Sequence, residues 1–158
     1  MERKLELKDI AGYLPYRLKI QRFDGVINEV KPFALQGAIL NNFKLILRPL
    51  SDLYKTITHN GKEIRPIVEL ARIVVVANWK ADGRKALLYT LENEATSEYF
   101  FYQGNAFIWI DNDTREEFRI GEQWLLFDYL HELKIDYRGL IDAGLAISVY
   151  DLEENPYK

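Results

Sequence analysis

Two patterns alternate along the chain: apolar stripes at helical spacing near both ends, and runs of β-branched and aromatic residues between turn dipeptides in the middle. Near the start, Leu7, Ile10 and Leu14 share one helical stripe, and Pro15 disfavours helix in the residue before it. These positions predict a short helix over residues 6–14.

The C-terminal third repeats the helical pattern. After Gly121, an apolar stripe predicts a helix through Trp124, Phe127, Leu130 and Leu133. Residues 137–143 predict a second short helix that Gly144 stops, and residues 145–150 a final strand.

Turn dipeptides divide the middle of the chain into hairpins: Asp24-Gly25, Asn60-Gly61 and Asp82-Gly83. They predict pairing of residues 17–23 with 26–30, a hairpin over 56–65, and pairing of 73–80 with 85–91. Ile57 is expected opposite Ile64, and Trp79 opposite Ala86. Pro66 suits the first turn of a short helix over residues 67–72.

A fourth hairpin, turning at Gly104-Asn105, is apolar on both faces. It pairs residue 102 with 107, 100 with 109 and 99 with 110. One face then carries Phe100, Tyr102, Phe107 and Trp109, and the other Tyr99, Phe101, Ile108 and Ile110. Such a sheet must be covered on both sides or leave one face for a ligand.

Together these elements predict a single α+β domain over residues 1–158. We expect a mainly antiparallel sheet of several hairpins, short helices near the N-terminus and a helical C-terminal segment. With 158 residues, of which 48% are hydrophobic, the chain is long enough to fold around its own core.

Composition excludes several kinds of site. The chain has no Cys, so it has no disulfide, zinc–thiolate site, iron–sulfur cluster or thiol nucleophile. The charged N-terminus MERKLELKDI lacks the apolar stretch of a signal peptide, and no apolar run approaches the ~20 residues of a membrane span. We expect a cytoplasmic protein without membrane contact.

Charge is distributed unevenly along the sequence. Residues 1–85 hold 16 Lys and Arg against 9 Asp and Glu, whereas residues 86–158 hold 5 against 15. The basic half is a candidate footprint for an anionic partner. Because the two halves of a domain usually interleave in space, the sequence favours no segregation of charge on the surface.

Signatures of catalysis are missing: the chain has no dinucleotide-binding glycine motif, phosphate loop, nucleophile elbow or zinc-protease motif. His59 and His131 lack a spacing that predicts convergence. An acidic loop places Asp111, Asp113 and Glu122 at calcium-loop positions, but Arg115 and Glu116 stand where an oxygen ligand and a glycine are needed. We therefore predict no catalytic residue, cofactor or metal.

Nucleic acid is the alternative partner. Basic residues accompany the predicted strands: Arg17, Lys19, Arg22, Lys44, Arg48, Lys80, Arg84 and Lys85. The Phe100 face offers aromatic rings of the kind on which bases stack. However, residues 99–110 contain no Lys or Arg, so core packing of these aromatics is favoured. Arg17, Lys19, Arg22 and Arg48 are the candidate nucleic-acid contacts.

Three segments carry a resemblance: Leu14-Pro15-Tyr16-Arg17-Leu18-Lys19, Leu47-Arg48-Pro49-Leu50-Ser51-Asp52-Leu53, and the stretch 124–147 with Phe127-Asp128-Tyr129-Leu130-His131. They resemble short uncharacterised reading frames of Bacteroidetes prophages and mobile elements. The resemblance implies a phage-like setting and no activity or catalytic residue.

Three functions follow as hypotheses, of which an enzyme without an assigned reaction class is the third. The leading one is a non-enzymatic phage-like or mobile-element protein that acts through contacts with an unidentified protein partner. The alternative is a nucleic-acid-binding accessory protein that uses the basic N-terminal half.

Overall fold

Helices and strands make up 29% and 31% of the computed structural model, which describes residues 2–157. The α-helices are α1 (Leu7–Ile10), α2 (Leu35–Leu40), α3 (Pro66–Val74) and α4 (Gln123–Glu132). The strands are β1 (Lys19–Gln21), β2 (Ile27–Glu29), β3 (Lys44–Leu47), β4 (Ile57–His59), β5 (Lys62–Ile64), β6 (Asn78–Asp82), β7 (Lys85–Tyr89), β8 (Ala95–Gln103), β9 (Ala106–Asp111), β10 (Glu117–Phe118) and β11 (Ala146–Ser148). Short 3-10 helices cover Ala11–Tyr16, Pro32–Ala34, Leu50–Tyr54 and Val149–Asp151. The predicted α+β class is confirmed, including the antiparallel hairpins and the helices in both terminal regions.

The chain divides into two compact units. Unit 1 contains the described residues up to Leu50 and from Leu130 onward, and unit 2 is Ser51–Tyr129. By sequence, unit 1 holds 12 Lys and Arg against 11 Asp and Glu, and unit 2 holds 9 against 13. The basic and acidic halves of the sequence are therefore mixed between the units. That the chain forms a single domain stays a prediction.

Unit 1 contains a four-stranded sheet with the strand order β11-β3-β1-β2. Only β11 runs parallel to its neighbour, with Ile147 opposite Ile46. The core beside this sheet consists of aliphatic side chains and one tyrosine, and includes Ile10, Tyr13, Leu18, Leu45 and Leu140. The Tyr13 hydroxyl donates to the Ile135 carbonyl at 2.7 Å, which satisfies its one buried polar group.

Tyr157 completes the sheet of unit 1 where a strand pair ends. β1 and β3 pair at Ile20 and Leu45, and the next pair would be Lys19 with Ile46. The Tyr157 hydroxyl occupies this place instead: it accepts from the Lys19 N–H at 2.8 Å and donates to the Ile46 carbonyl at 2.8 Å. One side chain thus satisfies two backbone groups that the ladder leaves open.

Unit 2 contains a five-stranded antiparallel sheet with the order β10-β9-β8-β7-β6, and a separate hairpin of β4 and β5. On its inner face Phe100 stacks on Phe107 with ring centroids 5.7 Å apart. Trp79 meets Phe100 edge to face, and Phe127 of α4 meets Phe107 in the same way. The two phenylalanines of the hairpin are 0% and 2% exposed, so this face forms the core of unit 2.

Two hairpins have the predicted registers. In the first, Ile57 lies opposite Ile64 around Asn60-Gly61. In the second, Phe100 lies opposite Trp109 around Gly104-Asn105, and residues 99 and 102 also pair as predicted. All four turn residues have φ between 50° and 75°. Since a type I′ turn requires positive φ at both central positions, these dipeptides determine their registers locally.

Two other hairpins correct the predicted registers. Trp79 lies opposite Leu88 rather than Ala86, because the turn is Gly83-Arg84 and Gly83 alone has positive φ. Glycine at the first central position is typical of a type II′ turn. At the first hairpin of the chain, the N–H of Arg22 donates to the Val26 carbonyl, so the loop has three residues and ends at Gly25.

The helix predictions are partly wrong. The helix predicted over 6–14 begins as α1 but continues as a 3-10 helix through Tyr16, and Leu7 is exposed. Helix α3 extends to Val74, so the following strand begins at Asn78 rather than at residue 73. Trp124 of the predicted stripe is 66% exposed.

Residues 137–139 are irregular and residues 140–143 form a turn, so the predicted second helix is absent there. Gly139 has a φ of +71°, which interrupts helical geometry in the middle of the segment. The Asp136 carboxylate accepts from the N–H groups of Leu140 and Ile141 at 2.9 and 2.8 Å. These bonds replace the backbone bonds that a helix would make. The final strand is confirmed over a shorter range, as β11.

No helix in the stretch from residue 2 to residue 157 is both long enough and apolar enough to cross a membrane.

Replacing Tyr157 by Phe should destabilise the chain. The substitution keeps the ring and leaves the Lys19 N–H and the Ile46 carbonyl without their partner, which costs about 1–3 kcal/mol. Urea unfolding measures this as a lowered midpoint. Tyr89→Phe is the matched control, because the Tyr89 hydroxyl has no hydrogen bond among residues 2–157. Equal midpoints for the two variants would contradict this role of Tyr157.

Candidate functional site

The outer face of the five-stranded sheet carries the second half of the aromatic residues of β8 and β9. Side chains alternate between the two faces of a strand, so Tyr99 and Phe101 point away from the face that holds Phe100. Ile110 lies directly opposite Tyr99 on this outer face. All three side chains are partly exposed, whereas Phe100 is fully buried.

These outer-face side chains form one wall of an open cavity of about 490 Å³, which we name the basic aromatic groove. Every residue that lines it belongs to unit 2. The lining residues are Tyr54, Arg84, Lys85, Tyr99, Phe101, Tyr102, Gln103, Ile110, Asn112 and Arg115. The set contains four aromatic residues and three cations and no carboxylate, and the rings of the outer face are those of Tyr99 and Phe101, because the Tyr102 ring packs on Phe107 of the inner face.

Two of the cations lie over aromatic rings. The Lys85 ammonium is 4.1 Å from the centroid of the Tyr99 ring, and the Arg84 guanidinium is 5.7 Å from that of Tyr54. Burial raises the pKa of Tyr54, and the nearby charge of Arg84 opposes this rise. Both contacts hold a long flexible cation beside a flat apolar surface.

The turn between β6 and β7 positions these cations. Because the turn is Gly83-Arg84, β7 begins at Lys85, which lies opposite Phe101 of β8. Further along the same outer face, the Lys80 ammonium lies 4.4 Å from the centroid of the Tyr89 ring. The sheet therefore presents a row of rings with lysines beside them.

A tight loop after β9 forms the rim of the groove. One oxygen of the Asp111 carboxylate accepts from the Ser97 hydroxyl and from the N–H groups of Asp113 and Thr114, at 2.9 to 3.1 Å. These bonds hold the pKa of Asp111 below its usual range. The loop then places Asn112 and Arg115 at the groove, with Arg115 at a φ of 62°.

The charges of the groove are available to a ligand. Within the described residues, Arg84, Lys85 and Arg115 form no ion pair with a carboxylate. Three cationic side chains thus lie beside partly exposed aromatic side chains in one open cavity. This arrangement suits binding of a flat anionic ligand.

The four residues predicted as nucleic-acid contacts lie outside this groove, in unit 1. Arg17 is paired with Glu29 at 3.3 Å and Arg22 with Asp24 at 3.2 Å. Arg48 is only 4% exposed and donates to the Tyr157 carbonyl. The charges of Arg17, Lys19 and Arg48 all act on one lysine, Lys134, so these three lie near one another, while Arg22 sits in a hairpin loop.

The histidines occupy structural positions. His131 of unit 1 is hydrogen-bonded to the Tyr137 hydroxyl at 2.7 Å and meets the Tyr13 ring edge to face. His59 of unit 2 contacts the amide of Asn60 in the adjoining turn. Across residues 2–157, no three side chains of the types that ligate metals converge on one point.

Sequence reasoning identified some members of the groove and missed others. Arg84 and Lys85 were among the basic residues predicted to accompany strands, and Tyr99 and Phe101 were placed together on one face. The face expected to stack bases is the buried one, and Tyr54 and Arg115 carry no signal as isolated residues. The pairing of β7 with β8 places Lys85 opposite Phe101 and so brings the cations of this turn and strand beside the aromatic residues of the outer face.

Comparisons with family models, with curated proteins and with solved structures find no match to this chain.

The charge of Asp111 should make the rim loop sensitive to acid. Because its pKa is lowered in the folded chain, the carboxylate stabilises the fold above its unfolded-state pKa, near 3.8, and this contribution is lost as the pH falls through the lower folded value. Asp111→Asn keeps an acceptor oxygen and removes the charge. We expect the variant to be less stable than the parent at pH 7 and the difference to shrink as the pH falls below 3.8.

Chemical unfolding at several pH values measures this difference. The matched control is Asp113→Asn, because the Asp113 carboxylate makes no hydrogen bond or ion pair among the described residues. A stability gap between Asp111→Asn and the parent that stays constant from pH 7 to pH 3 would contradict the predicted role of the charge.

Proposed function

We propose that this chain binds single-stranded nucleic acid along the basic aromatic groove. One observation carries the proposal: the partly exposed side chains of Tyr99 and Phe101 line one cavity with Lys85, Arg84 and Arg115, and no carboxylate belongs to the lining. Rings stack on bases without regard to sequence, and the cations attract phosphates. The groove supplies both kinds of contact within one open surface.

The shape of this surface favours single strands over duplexes. Bases are available for stacking only when they are unpaired, whereas a duplex buries their faces and presents mainly phosphates. A groove lined by four aromatic residues therefore gains stacking contacts from a single strand and few from a duplex. We therefore expect tighter binding to single-stranded DNA or RNA than to duplex DNA.

The other expectations from the sequence stay predictions. Contact with a protein partner is one of them, and the origin in a phage-like or mobile element is another. Several large apolar side chains are strongly exposed, among them Phe23 and Phe33 at 87% and 90%. Such side chains support contact with a protein partner. The groove favours nucleic acid because it combines charge and rings in a single cavity, whereas the exposed apolar side chains are distributed along the sequences of both units.

Removing the three cations of the groove should weaken binding and its salt dependence. Fluorescence anisotropy with labelled single-stranded DNA, RNA and duplex DNA, at low and near-physiological salt, measures both. If Arg84, Lys85 and Arg115 each neutralise one phosphate, the logarithmic salt slope contains about −2 from them. The variant R84Q/K85Q/R115Q should lose that part of the slope.

The matched control is R17Q/K19Q/R22Q, which removes the same charge from unit 1 and should leave affinity unchanged. This pair of variants separates the groove from the contacts that the sequence first indicated. No binding at low salt would contradict the proposal, and so would an equal loss of affinity in both triple variants.

Stacking is tested separately from charge by Phe101→Leu. Leucine fills the outer face of the sheet and removes the ring, so affinity for single strands should fall by about 1–3 kcal/mol while the salt slope stays the same. Phe23→Leu is the matched control, because Phe23 is an exposed phenylalanine of unit 1. Unchanged affinity of Phe101→Leu would show that the ring takes no part in binding.

A further inference from the structure

The outer face of the five-stranded sheet continues beyond the basic aromatic groove. In the hairpin of β6 and β7, Lys80 lies opposite Leu87. Leu87 in turn lies opposite Tyr99 of β8, which lies opposite Ile110 of β9. Side chains at directly paired positions point to the same face of a sheet. A single row of side chains therefore crosses the sheet from the groove to the edge strand β6.

The next row along β7 places a further ring on this face. Tyr89 follows Leu87 by two positions, so alternation along the strand directs it to the outer face. The Lys80 ammonium lies 4.4 Å from the centroid of the Tyr89 ring. Lys80 is exposed and Tyr89 is partly exposed. The register shift after Leu87 concerns the pairing with β8, whereas β6 pairs with β7 without interruption over Asn78–Asp82.

The contact between Lys80 and Tyr89 repeats one that belongs to the groove. There, the Lys85 ammonium lies 4.1 Å from the centroid of the Tyr99 ring. Each pair joins a lysine to a partly exposed tyrosine of the outer face. Among residues 2–157, neither Lys80 nor Lys85 forms an ion pair with a carboxylate. The same combination of ring and cation thus occurs twice on one face of the sheet.

The rings lie at intervals along the sheet that suit a polymer. Lys85 lies opposite Phe101, and Tyr89 is four residues further along β7. At about 3.3 Å per residue, this separation is about 13 Å. Tyr99 lies between the two ends, two residues from Phe101 along β8. At the rise of about 3.4 Å per nucleotide along one strand, the distance corresponds to about four nucleotides.

Carboxylates border this surface. Asp82 lies opposite Lys85, on the side of Lys80 toward the turn, and the loop after Tyr89 carries Glu92 and Glu94. All three acidic side chains are exposed, and their charges repel phosphates. Between them, the outward-facing residues of β6 and β7 include no acid: Asn78, Lys80, Leu87 and Tyr89.

We propose that the basic aromatic groove forms one continuous binding surface with Lys80 and Tyr89, which we name the outer-face track. Its ligand is a single strand of at least about four nucleotides rather than a mononucleotide or dinucleotide. Phe101, Tyr99 and Tyr89 supply successive rings for stacking, and Lys85 and Lys80 hold phosphates beside the last two. This inference rests on the proposed binding of single strands by the groove and names the class of ligand.

The test measures how affinity depends on the length of the strand. Fluorescence anisotropy with labelled oligothymidylates of two, four and eight nucleotides, at low salt, gives the Kd for the full chain and its variants. The variant K80Q/Y89L should bind the dinucleotide as the parent does, because so short a ligand fills only the groove. It should bind the strand of eight nucleotides at least about fivefold more weakly, because one stacking ring is lost.

The matched control is K44Q/Y150L, which removes an exposed lysine and an exposed tyrosine of unit 1 and should leave both affinities unchanged. A single variant, Lys80→Gln, alters an exposed side chain and keeps the packing of the sheet. For the strand of eight nucleotides it should make the logarithmic salt slope shallower by about 0.7, the contribution of one phosphate. For the dinucleotide the slope should stay the same.

The outcomes distinguish this inference from the proposed function. If K80Q/Y89L binds the longest strand as the parent does, or loses the same factor with the dinucleotide, the outer-face track is wrong and the groove remains the site. Equal affinity of the parent for all three lengths, or an equal loss in K44Q/Y150L, would also overturn the track. If the parent binds no strand of any length, the proposed function itself fails, and this inference fails with it.

Discussion

The register of the β8–β9 hairpin is the constraint on which unit 2 depends. The two positive φ angles of Gly104-Asn105 allow one pairing of the strands, and the twofold alternation of side chains then divides eight apolar residues between two faces. Phe100 and Phe107 enter the core, and Tyr99 and Phe101 are carried to the outer face by the same register. A slip of one residue would exchange core and groove. The aromatic wall of the candidate site is thus a direct consequence of how the core forms.

The turn dipeptides differ in how completely they determine the register of their hairpins. This difference decides how much of the sheet pairing can be predicted from the sequence. Asn60-Gly61 and Gly104-Asn105 each place two residues with positive φ, so the dipeptide alone determines the register. At Asp82-Gly83 and Asp24-Gly25 only the glycine has positive φ, and one such residue fits several turn types. Neighbouring strands then decide the register, and that information is not local. The missing helix at 137–143 has the same origin, because the Asp136 carboxylate, rather than the helical periodicity of the segment, determines its hydrogen bonding.

The candidate site was harder to predict than the fold because its residues come from four separated segments of the chain. Tyr54 ends a 3-10 helix, Arg84 and Lys85 belong to a turn and the strand after it, and Arg115 belongs to a loop. Residues 99–110 contain no cation, so the sequence of this hairpin alone does not indicate a basic aromatic surface. The cations arrive from the neighbouring strand, where Lys85 lies opposite Phe101. The pairing of β7 with β8 contains a register shift between Leu87 and Tyr89, and a local turn rule does not predict such a pairing.

The cations of the groove and Lys134 of unit 1 differ in burial, and this difference changes how strongly water stabilises their charge. Arg84 and Arg115 are exposed, so water solvates their charge. Lys134 is partly buried among Arg48, Arg17 and Lys19, and its charged form loses solvation and meets repulsion at the same time. Positive charge alone therefore does not define a binding site in this chain. Where solvent reaches a cation, its charge is solvated and open to anions; where the fold withdraws a lysine from solvent, burial lowers its pKa.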